Sequence, residues 1–212
     1  MEDKLFCELT ERYPALEVCR EEILKARDMM LDSARLGGKI LICGNGGSSA
    51  DADHIVGELM KGFLLKRKMP DALASDFKER LGCDAEYFTE NLQCGIPAIS
   101  LSAQTAISSA FINDVKPDLI YAQMVFGYAR SCDLLICIST SGNSKNVVNA
   151  AKCALAMGIP TVALTGKADS ALSEICTCTV KAPELETFKI QELHLPIYHY
   201  LCASVEAELF GK

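Results

Sequence analysis

Two short segments rich in glycine and hydroxyl side chains are the first candidates for chemistry in this chain. Residues 44–48 read Gly-Asn-Gly-Gly-Ser, and residues 139–144 read Ser-Thr-Ser-Gly-Asn-Ser. Glycine allows a ligand to approach the backbone closely, and hydroxyls beside the amides of a helix N-terminus can hold a phosphate without positive charge. The hydroxyl groups belong to Ser48, Ser139, Thr140, Ser141 and Ser144. The pattern indicates a phosphate site, with ordinary turn and helix-capping residues as the alternative explanation.

Neither segment is a nucleotide-binding motif in the strict sense. The run Gly44-x-Gly46-Gly47 lacks the third glycine of the dinucleotide fingerprint, and no G-x-x-x-x-G-K-[ST] motif occurs in the sequence. The spacing therefore disfavours nucleotides as ligands and leaves smaller phosphorylated compounds.

Histidine is scarce in this chain, which has three, and two of them stand where they could act as acid or base. His54 and Glu58 are four residues apart, so they share one face of the helix predicted after the first glycine segment. Gln191 and His199 are eight apart, about 80° around the axis of a later helix, and could face one cavity. Each pair alone also fits a plainer role, as a surface ion pair or as a core or interface histidine.

Alternating strand and helix patterns must position these side chains. Short apolar runs predict strands at residues 39–43, 97–101, 133–138, 161–165 and 175–180, and helical spacing follows both hydroxyl-rich segments. Strands that alternate with helices in this way predict an α/β three-layer αβα sandwich around one five-stranded parallel sheet. In such a sheet the loops at the carboxyl ends of the strands lie together, where ligands bind.

The remaining segments predict helices around that sheet within a single domain, residues 1–212. An amphipathic helix is expected in residues 1–37, from about Tyr13 to Leu36, and a charged helical insertion in residues 64–95. A last helix is expected over residues 187–210, where Pro196 should kink it or remove one backbone hydrogen bond.

Composition narrows the classes of function. The chain has 212 residues, half of them apolar, and 21 basic against 28 acidic side chains, a formal charge of −7 that disfavours a nucleic-acid partner. No apolar run is long enough to span a membrane and the start lacks a secretory signal, so we expect a cytoplasmic protein without a membrane partner. The eleven cysteines contain no C-x-x-C pair. Most of them should be small buried apolar residues, with Cys176 and Cys178 on one face of a strand.

The ordered set of segments resembles the sugar isomerase (SIS) domain family, and within it the phosphoheptose isomerases. The matching segments are Gly44–Ser48, His54 with Glu58, Asn113-Asp114, Ser139–Ser144, Leu164–Lys167, Ile190–His194 and His199. They follow the family order and cover nearly the whole chain outside the insertion. The chain departs from the family in the length of residues 64–95, in Ala168, where an acidic residue is common, and in Pro196.

The resemblance implies a doubly wound parallel sheet and a homotetramer whose active sites lie between subunits, so that His199 could serve a neighbour. It also implies the conversion of sedoheptulose 7-phosphate to D-glycero-D-manno-heptose 7-phosphate through an enediol. Glu58 would act as the base, with His199 as its acid–base partner at the oxygens. The substrate residues would be Asn45, Gly46, Gly47, Ser48, Asp114, Ser139, Thr140, Ser141, Ser144 and Gln191.

Some members of the family hold a zinc ion, with residues that match His54, Glu58, Gln191 and His199. A zinc ion would polarise the carbonyl and stabilise the enediolate. One zinc ion per subunit is therefore expected, although glutamine is an unusual zinc ligand.

Two other functions stay open. The chain could isomerise or bind another sugar phosphate, because pocket shape sets the choice of sugar. It could also be a non-catalytic scaffold resembling the bacterial SIS protein that associates with the replication initiator. That relative lacks counterparts of Glu58 and His199, which favours the enzyme for this chain.

Overall fold

The computed structural model describes residues 3–211, in which helices and strands alternate after an amino-terminal helical region. The helices are α1 (Lys4–Arg12), α2 (Arg20–Arg35), α3 (Gly47–Met60), α4 (Asp71–Leu81), α5 (Ala85–Asn91), α6 (Thr105–Asp114), α7 (Ile120–Tyr128), α8 (Lys145–Ala156), α9 (Ala171–Ile175) and α10 (Thr187–Phe210). The strands are β1 (Ile40–Gly44), β2 (Ala98–Ser100), β3 (Leu134–Ile138), β4 (Thr161–Thr165) and β5 (Cys178–Lys181).

All five strands are parallel and form one sheet in the order β2-β1-β3-β4-β5. The chain moves outward from β1 to β2, then returns to the other side of β1 for β3 and continues through β4 to β5. The sheet is thus doubly wound, and its switch point lies between β1 and β3, where Gly44 pairs with Ile138. The predicted α/β class and the five-stranded parallel sheet are confirmed.

Both faces of the sheet are covered, because alternate residues of the strands point to opposite sides. Ile40 and Ile42 pack in a core with residues of α1, α2, α3 and α10. Leu41 and Cys43 pack in a second core with residues of α7, α8 and α9. Burial on both faces explains why the central strands are unbroken apolar runs in the sequence. The packing of the helices on the two faces brings α3, α8 and α10 close to the switch point.

The amino-terminal region differs from the single helix expected between Tyr13 and Leu36. The structure has α1, then a 3-10 segment, Pro14–Cys19, and only then α2. The residue before a proline is disfavoured in the helical conformation, and Tyr13 has φ −132° and ψ 70°. Proline also lacks the N–H that a continuous helix needs, so the break falls at Pro14.

Other boundaries also differ from the sequence patterns. The strand expected at 175–180 begins at Cys178, because Ile175 ends α9. Cys176 caps that helix, so it does not share a strand face with Cys178. Helices α6 and α7 fill a region to which the sequence pattern assigned no element. Residues 64–95 contain α4 and α5, and Lys68 forms an antiparallel bridge with Gln93.

Helix α10 continues through Pro196 for 24 residues. Because proline has no N–H, the helix loses one backbone hydrogen bond there, as expected. None of the helices within residues 3–211 is long and apolar enough to cross a membrane.

Candidate active site

The two hydroxyl-rich segments lie side by side at the switch point of the sheet. The first follows β1 and the second follows β3, and these strands are neighbours. Asn45 of the first segment and Asn146, in the first turn of the helix that follows the second segment, exchange two amide hydrogen bonds of 2.8 and 2.9 Å. The first segment leads into α3 and the second into α8. Two helix N-termini, each with a partial positive charge, therefore border one site, and this charge favours an anionic ligand there.

Glycine is required at two positions of the first segment. Gly46 has φ +56° and ψ −122°, a conformation that is essentially confined to glycine. A Cβ built on Gly44 would lie 2.5 Å from the carbonyl oxygen of Ser48, so the backbone crosses itself too closely for a side chain. The glycines thus set the path of the loop that precedes α3.

The second segment gathers its hydroxyl groups into a small cluster. The Oγ of Ser139 donates to the Oγ of Ser144 at 3.1 Å and lies 3.5 Å from the Oγ of Ser141. The Oγ of Ser141 accepts the amide of Asn143 at 3.2 Å. Ser144 stands at the N-cap of α8. The carbonyl of Thr140 accepts the amide of Gly166, which anchors the segment to the loop after β4.

A cavity of about 610 Å³ opens beside this cluster, and both Asn45 and Ser144 line it. Ser102, Tyr121 and Asn146 also line it, and the sequence patterns did not single them out. Asp114 was expected to contact the sugar, but it ends α6, is exposed, and is not among the residues that line this cavity. Its carboxylate accepts a hydrogen bond from Asn113.

His54 and Glu58 lie on one face of α3, as their spacing predicts, with 3.2 Å between His54 Nε2 and Glu58 Oε1. The other ring nitrogen, Nδ1, lies 3.0 Å from the hydroxyl of Tyr198. That hydroxyl donates its one proton to Asp51 at 3.2 Å, so it accepts from His54 Nδ1. In neutral His54 the Nε2 atom then carries a lone pair that faces the Glu58 carboxylate. Two acceptors at this distance fit a proton or a cation between them.

His199 lies against His54 in the same chain, with ring centroids 5.0 Å apart. The ring of Phe63 is 5.6 Å away on another side. Burial, followed by the nearby His54, lowers the pKa of His199, so its imidazole is neutral near pH 7. Its Nε2 atom is buried and has no hydrogen-bond partner. Such an orphaned acceptor or donor is uncommon in a folded protein and is typical of a group that binds a ligand.

Gln191 lies at the other end of this region, near the first glycine segment. A Cβ on Gly47 would lie 2.3 Å from Gln191 Nε2, and one on Gly166 would lie 2.4 Å from Ile190 Cδ1. The start of α10 therefore lies against the first glycine segment and against the loop after β4. Within residues 3–211 of this single chain, no group of three or more His, Cys, Asp or Glu side chains is arranged so that it could hold a metal ion. The four expected zinc ligands are thus only partly gathered.

Comparison with known proteins finds protein families and individual proteins whose sequences are similar to this chain. The family described as the SIS domain matches residues 105–202, and a second SIS domain family matches residues 8–91. The phosphoheptose isomerase of Rhodospirillum rubrum is 32% identical over 212 residues, covering 99% of each chain. That of Aliarcobacter butzleri is 34% identical over 92% of this chain and 89% of its own.

Solved structures that are similar to this chain also include phosphoheptose isomerases. The phosphoheptose isomerase of Neisseria gonorrhoeae superposes with a TM-score of 0.74 at 28% identity, over 95% of each chain. That of Francisella tularensis gives a TM-score of 0.72 at 25% identity, over 95% of this chain and 94% of its own. The chain belongs to the SIS domain family, and the relatives named above, which match nearly its full length, are phosphoheptose isomerases.

Proposed function

We propose that this protein is a phosphoheptose isomerase that interconverts sedoheptulose 7-phosphate and D-glycero-D-manno-heptose 7-phosphate. The observation that carries the proposal is the pairing of a phosphate cradle at the switch point with the acid–base group of Glu58, His54 and His199. Both occur in a chain that is 32% identical over its full length to a phosphoheptose isomerase. The unpartnered Nε2 of His199 lies in a ring that packs against His54, beside Glu58, and a group of this kind is typical of a site that binds a ligand, which favours an enzyme over a scaffold.

The phosphate is held by the two hydroxyl-rich loops. The amides that open α3 and α8 and the hydroxyls of Ser139, Ser141 and Ser144 supply hydrogen bonds, and the helix termini supply partial positive charge. Residues Ser48 and Thr140 belong to the same loops, as do the backbones of Gly46 and Gly47. Holding the phosphate fixes the sugar chain, so that its carbonyl end meets the acid–base residues in one orientation.

The chemistry of the interconversion requires one proton to move between neighbouring carbons. The Glu58 carboxylate takes the proton from C1 of the ketose and returns it to C2, while a hydroxyl proton moves from O1 to O2. The neutral imidazole of His199 exchanges the proton at the oxygens, which its lowered pKa allows near pH 7. The phosphate end of the substrate does not react and serves for binding.

Helix geometry indicates that a complete site needs more than one subunit. Ser48 and Glu58 are ten residues apart on α3, which corresponds to about 15 Å of helix. A seven-carbon sugar carries its carbonyl and its phosphate closer together than that. We infer that Glu58 and His199 act with the phosphate loops of a neighbouring copy, in the homotetramer that the family resemblance implies.

We also infer a zinc ion held by His54, Glu58, Gln191 and His199. The unpartnered Nε2 of His199 and the two acceptors of His54 and Glu58 fit a cation chemically. A full ligand set still requires His199 or Gln191 to move, or a second subunit to contribute. A bound zinc ion would supply charge stabilisation at the carbonyl oxygen.

The test is turnover of sedoheptulose 7-phosphate, followed by NMR of the sugar products, with wild type and Glu58→Gln compared. Wild type should form the aldose, and Glu58→Gln should lose at least about a hundredfold in kcat, as expected for loss of an acid–base group. Light scattering on the same sample should give the mass of a tetramer, and chelation should abolish turnover until zinc is restored.

Three results would contradict parts of the proposal. Normal turnover by Glu58→Gln would remove Glu58 as the base, and full activity after chelation would remove zinc. If wild type turned over a different sugar phosphate and not the heptose, the roles of the site residues would be kept, but the assigned substrate would be wrong.

A further inference from the structure

A buried ion pair outside the reacting groups connects the elements that carry them. Arg67 lies in the segment after α3, and Glu206 lies in α10; both side chains are fully buried. The guanidinium Nε donates to Glu206 Oε1 at 2.7 Å. Two ionised side chains lose their hydration when buried, and this loss is offset only if nearly every donor and acceptor is satisfied. The partners of the pair therefore show what it holds in place.

On the arginine side, the partners are the last carbonyls of α3. Arg67 Nη1 donates to the carbonyl of Leu59 at 2.6 Å, and Nη2 donates to the carbonyl of Glu58 at 3.0 Å. These carbonyls lie in the last turn of the helix, where they lack intrahelical donors, and a cation there also favours the helix dipole. Arg67 thus fixes the backbone of Glu58 itself.

On the glutamate side, the partners are three consecutive backbone amides. Glu206 accepts the amides of Phe63, Leu64 and Leu65 at 2.8, 2.6 and 3.0 Å. Burial alone would raise the pKa of Glu206, but the amides of Phe63 and Leu64 and the guanidinium of Arg67 outweigh burial and lower the pKa, so the carboxylate is charged. The carboxylate therefore determines the path of the backbone that follows α3.

That path sets the surroundings of His199. Phe63, whose amide Glu206 holds, places its ring 5.6 Å from the imidazole of His199. His199 and Glu206 are seven residues apart on α10, so they lie two turns from each other on nearly the same face. The ion pair consequently joins the backbone of Glu58, the ring that packs on His199, and the helix that carries His199.

We propose that Arg67 and Glu206 are positioning residues, which fix the Glu58 carboxylate relative to the His199 imidazole. This inference rests on the proposed function of those two side chains. Neither Arg67 nor Glu206 touches the reacting atoms. Their effect is expected in kcat, because a displacement of about 1 Å between reacting groups costs up to about a hundredfold in rate. Substrate affinity should change little, since the phosphate loops lie elsewhere.

The experiment compares Glu206→Gln and Arg67→Lys with wild type. Glutamine keeps the size of the side chain but turns one acceptor into a donor facing backbone amides, and lysine keeps the charge but loses the guanidinium fork. Both variants should lower kcat by about 10- to 100-fold and leave KM within about twofold of wild type. Hydrogen exchange should rise in peptides spanning residues 58–66.

Asp133→Asn is the matched control. Asp133 is also a buried carboxylate that accepts backbone amides, those of Lys39 and Arg130, at 2.8 and 2.7 Å. It precedes the central strand β3, at the amino ends of the strands, whereas the site lies at their carboxyl ends. This variant should lose stability in the same way as Glu206→Gln but keep the kcat of wild type.

The outcomes separate this inference from the proposed function. Unchanged kcat in Glu206→Gln and Arg67→Lys, despite faster exchange in residues 58–66, would overturn the positioning role. An equal fall of kcat in Asp133→Asn would also overturn it, because the effect would then be general destabilisation. If wild type is inactive on the heptose phosphate, the proposed function fails first. In that case hydrogen exchange of Glu206→Gln and Arg67→Lys, compared with wild type, tests the inference by itself. Faster exchange that is confined to residues 62–66, without change around Glu58 or His199, overturns the inference.

Discussion

The hydroxyl of Tyr198 controls the orientation of His54 at the scale of single residues. It donates to Asp51 and accepts from His54 Nδ1, and so presents the His54 Nε2 lone pair to Glu58. The Tyr198 ring also packs edge-on against the rings of both His54 and His199. One side chain thus orders both histidines, although it contributes no reacting group of its own.

Replacing Tyr198 with phenylalanine should keep the ring packing and remove only the hydroxyl. His54 then loses the acceptor that fixes its tautomer, and Asp51 loses a donor in a partly buried position. We expect kcat to fall about tenfold, within the range known for groups that orient a catalytic side chain, with KM nearly unchanged. Steady-state kinetics on the heptose phosphate measures both constants.

Tyr200→Phe is the control for this substitution. Tyr200 lies two residues further along α10 and donates to Asp3 at 2.6 Å, away from His54. Its loss should affect stability alone. Equal kcat for Tyr198→Phe and Tyr200→Phe would show that the Tyr198 hydroxyl does not act on His54.

The sequence revealed the local part of this site and not the distant part. The spacing of four residues in His54 and Glu58 predicts their shared helix face, because helical periodicity is a local property. Asp51 is on the same helix and would have been found by extending that face back by three residues. Tyr198 is 147 residues from Asp51, and no periodic pattern connects positions that meet only through the packing of α3 on α10.

The glycines of the first loop matter at the scale of elements. Gly44 ends β1, and only the absence of a side chain lets the backbone approach the carbonyl of Ser48. Gly57 lies within α3, and a Cβ built there meets nothing within 4 Å. We therefore expect replacement by alanine to have opposite effects on the free energy of unfolding at Gly44 and at Gly57.

Gly44→Ala should distort the loop between β1 and α3 and weaken phosphate binding. The Cβ would lie 2.5 Å from a backbone oxygen, which cannot rotate away as a side chain could. We expect a lower free energy of unfolding and loss of thermal stabilisation by the sugar phosphate. Gly57→Ala should instead raise the free energy of unfolding by about 0.5–1 kcal/mol, as alanine is the better helix former. Equal stability of Gly44→Ala and wild type would contradict this account.

The elements that sequence reasoning missed share a physical cause. The strands of the sheet were found because they are apolar, short and bounded by glycine or hydroxyl residues. Helix α6 buries none of its residues, so it has no apolar stripe to reveal it. Helix α7 buries five of its nine residues, including the consecutive Ile120, Tyr121 and Ala122, which hides the helical period. The 3-10 segment Pro14–Cys19 was not distinguished from an α-helix because its buried Leu16 and Cys19 have a spacing that also fits an α-helix.

At the scale of the whole molecule, the doubly wound topology explains why one chain holds both a phosphate cradle and an acid–base group. The switch point between β1 and β3 brings two loops together, and α10 passes the loop after β1 and the loop after β4 before it reaches His199. Helix α10 therefore couples the site to global stability, since its residues also pack against α1, α2 and α3. His194, in the same helix, makes this coupling measurable.

The stability of the folded chain should depend on pH through His194. This side chain is fully buried, and its Nε2 lies 3.2 Å from the carbonyl of Thr165, so the neutral ring donates there. Burial lowers its pKa to about 4. In the unfolded chain the pKa is about 6.5. Between these two pKa values the unfolded state binds a proton that the folded state does not bind. The free energy of unfolding therefore falls as the pH falls through this window.

Replacing His194 with glutamine should remove this dependence, because the amide can still donate to Thr165 and does not titrate. Between pH 7.5 and pH 5, wild type should lose about 2 kcal/mol more of its free energy of unfolding than His194→Gln. Urea unfolding at both pH values, followed by circular dichroism, measures the difference, and carboxylates that titrate in both proteins cancel in it. Equal losses in the two proteins would mean that His194 takes up its proton inside the fold, which would require its Nδ1, buried without a partner, to gain an acceptor.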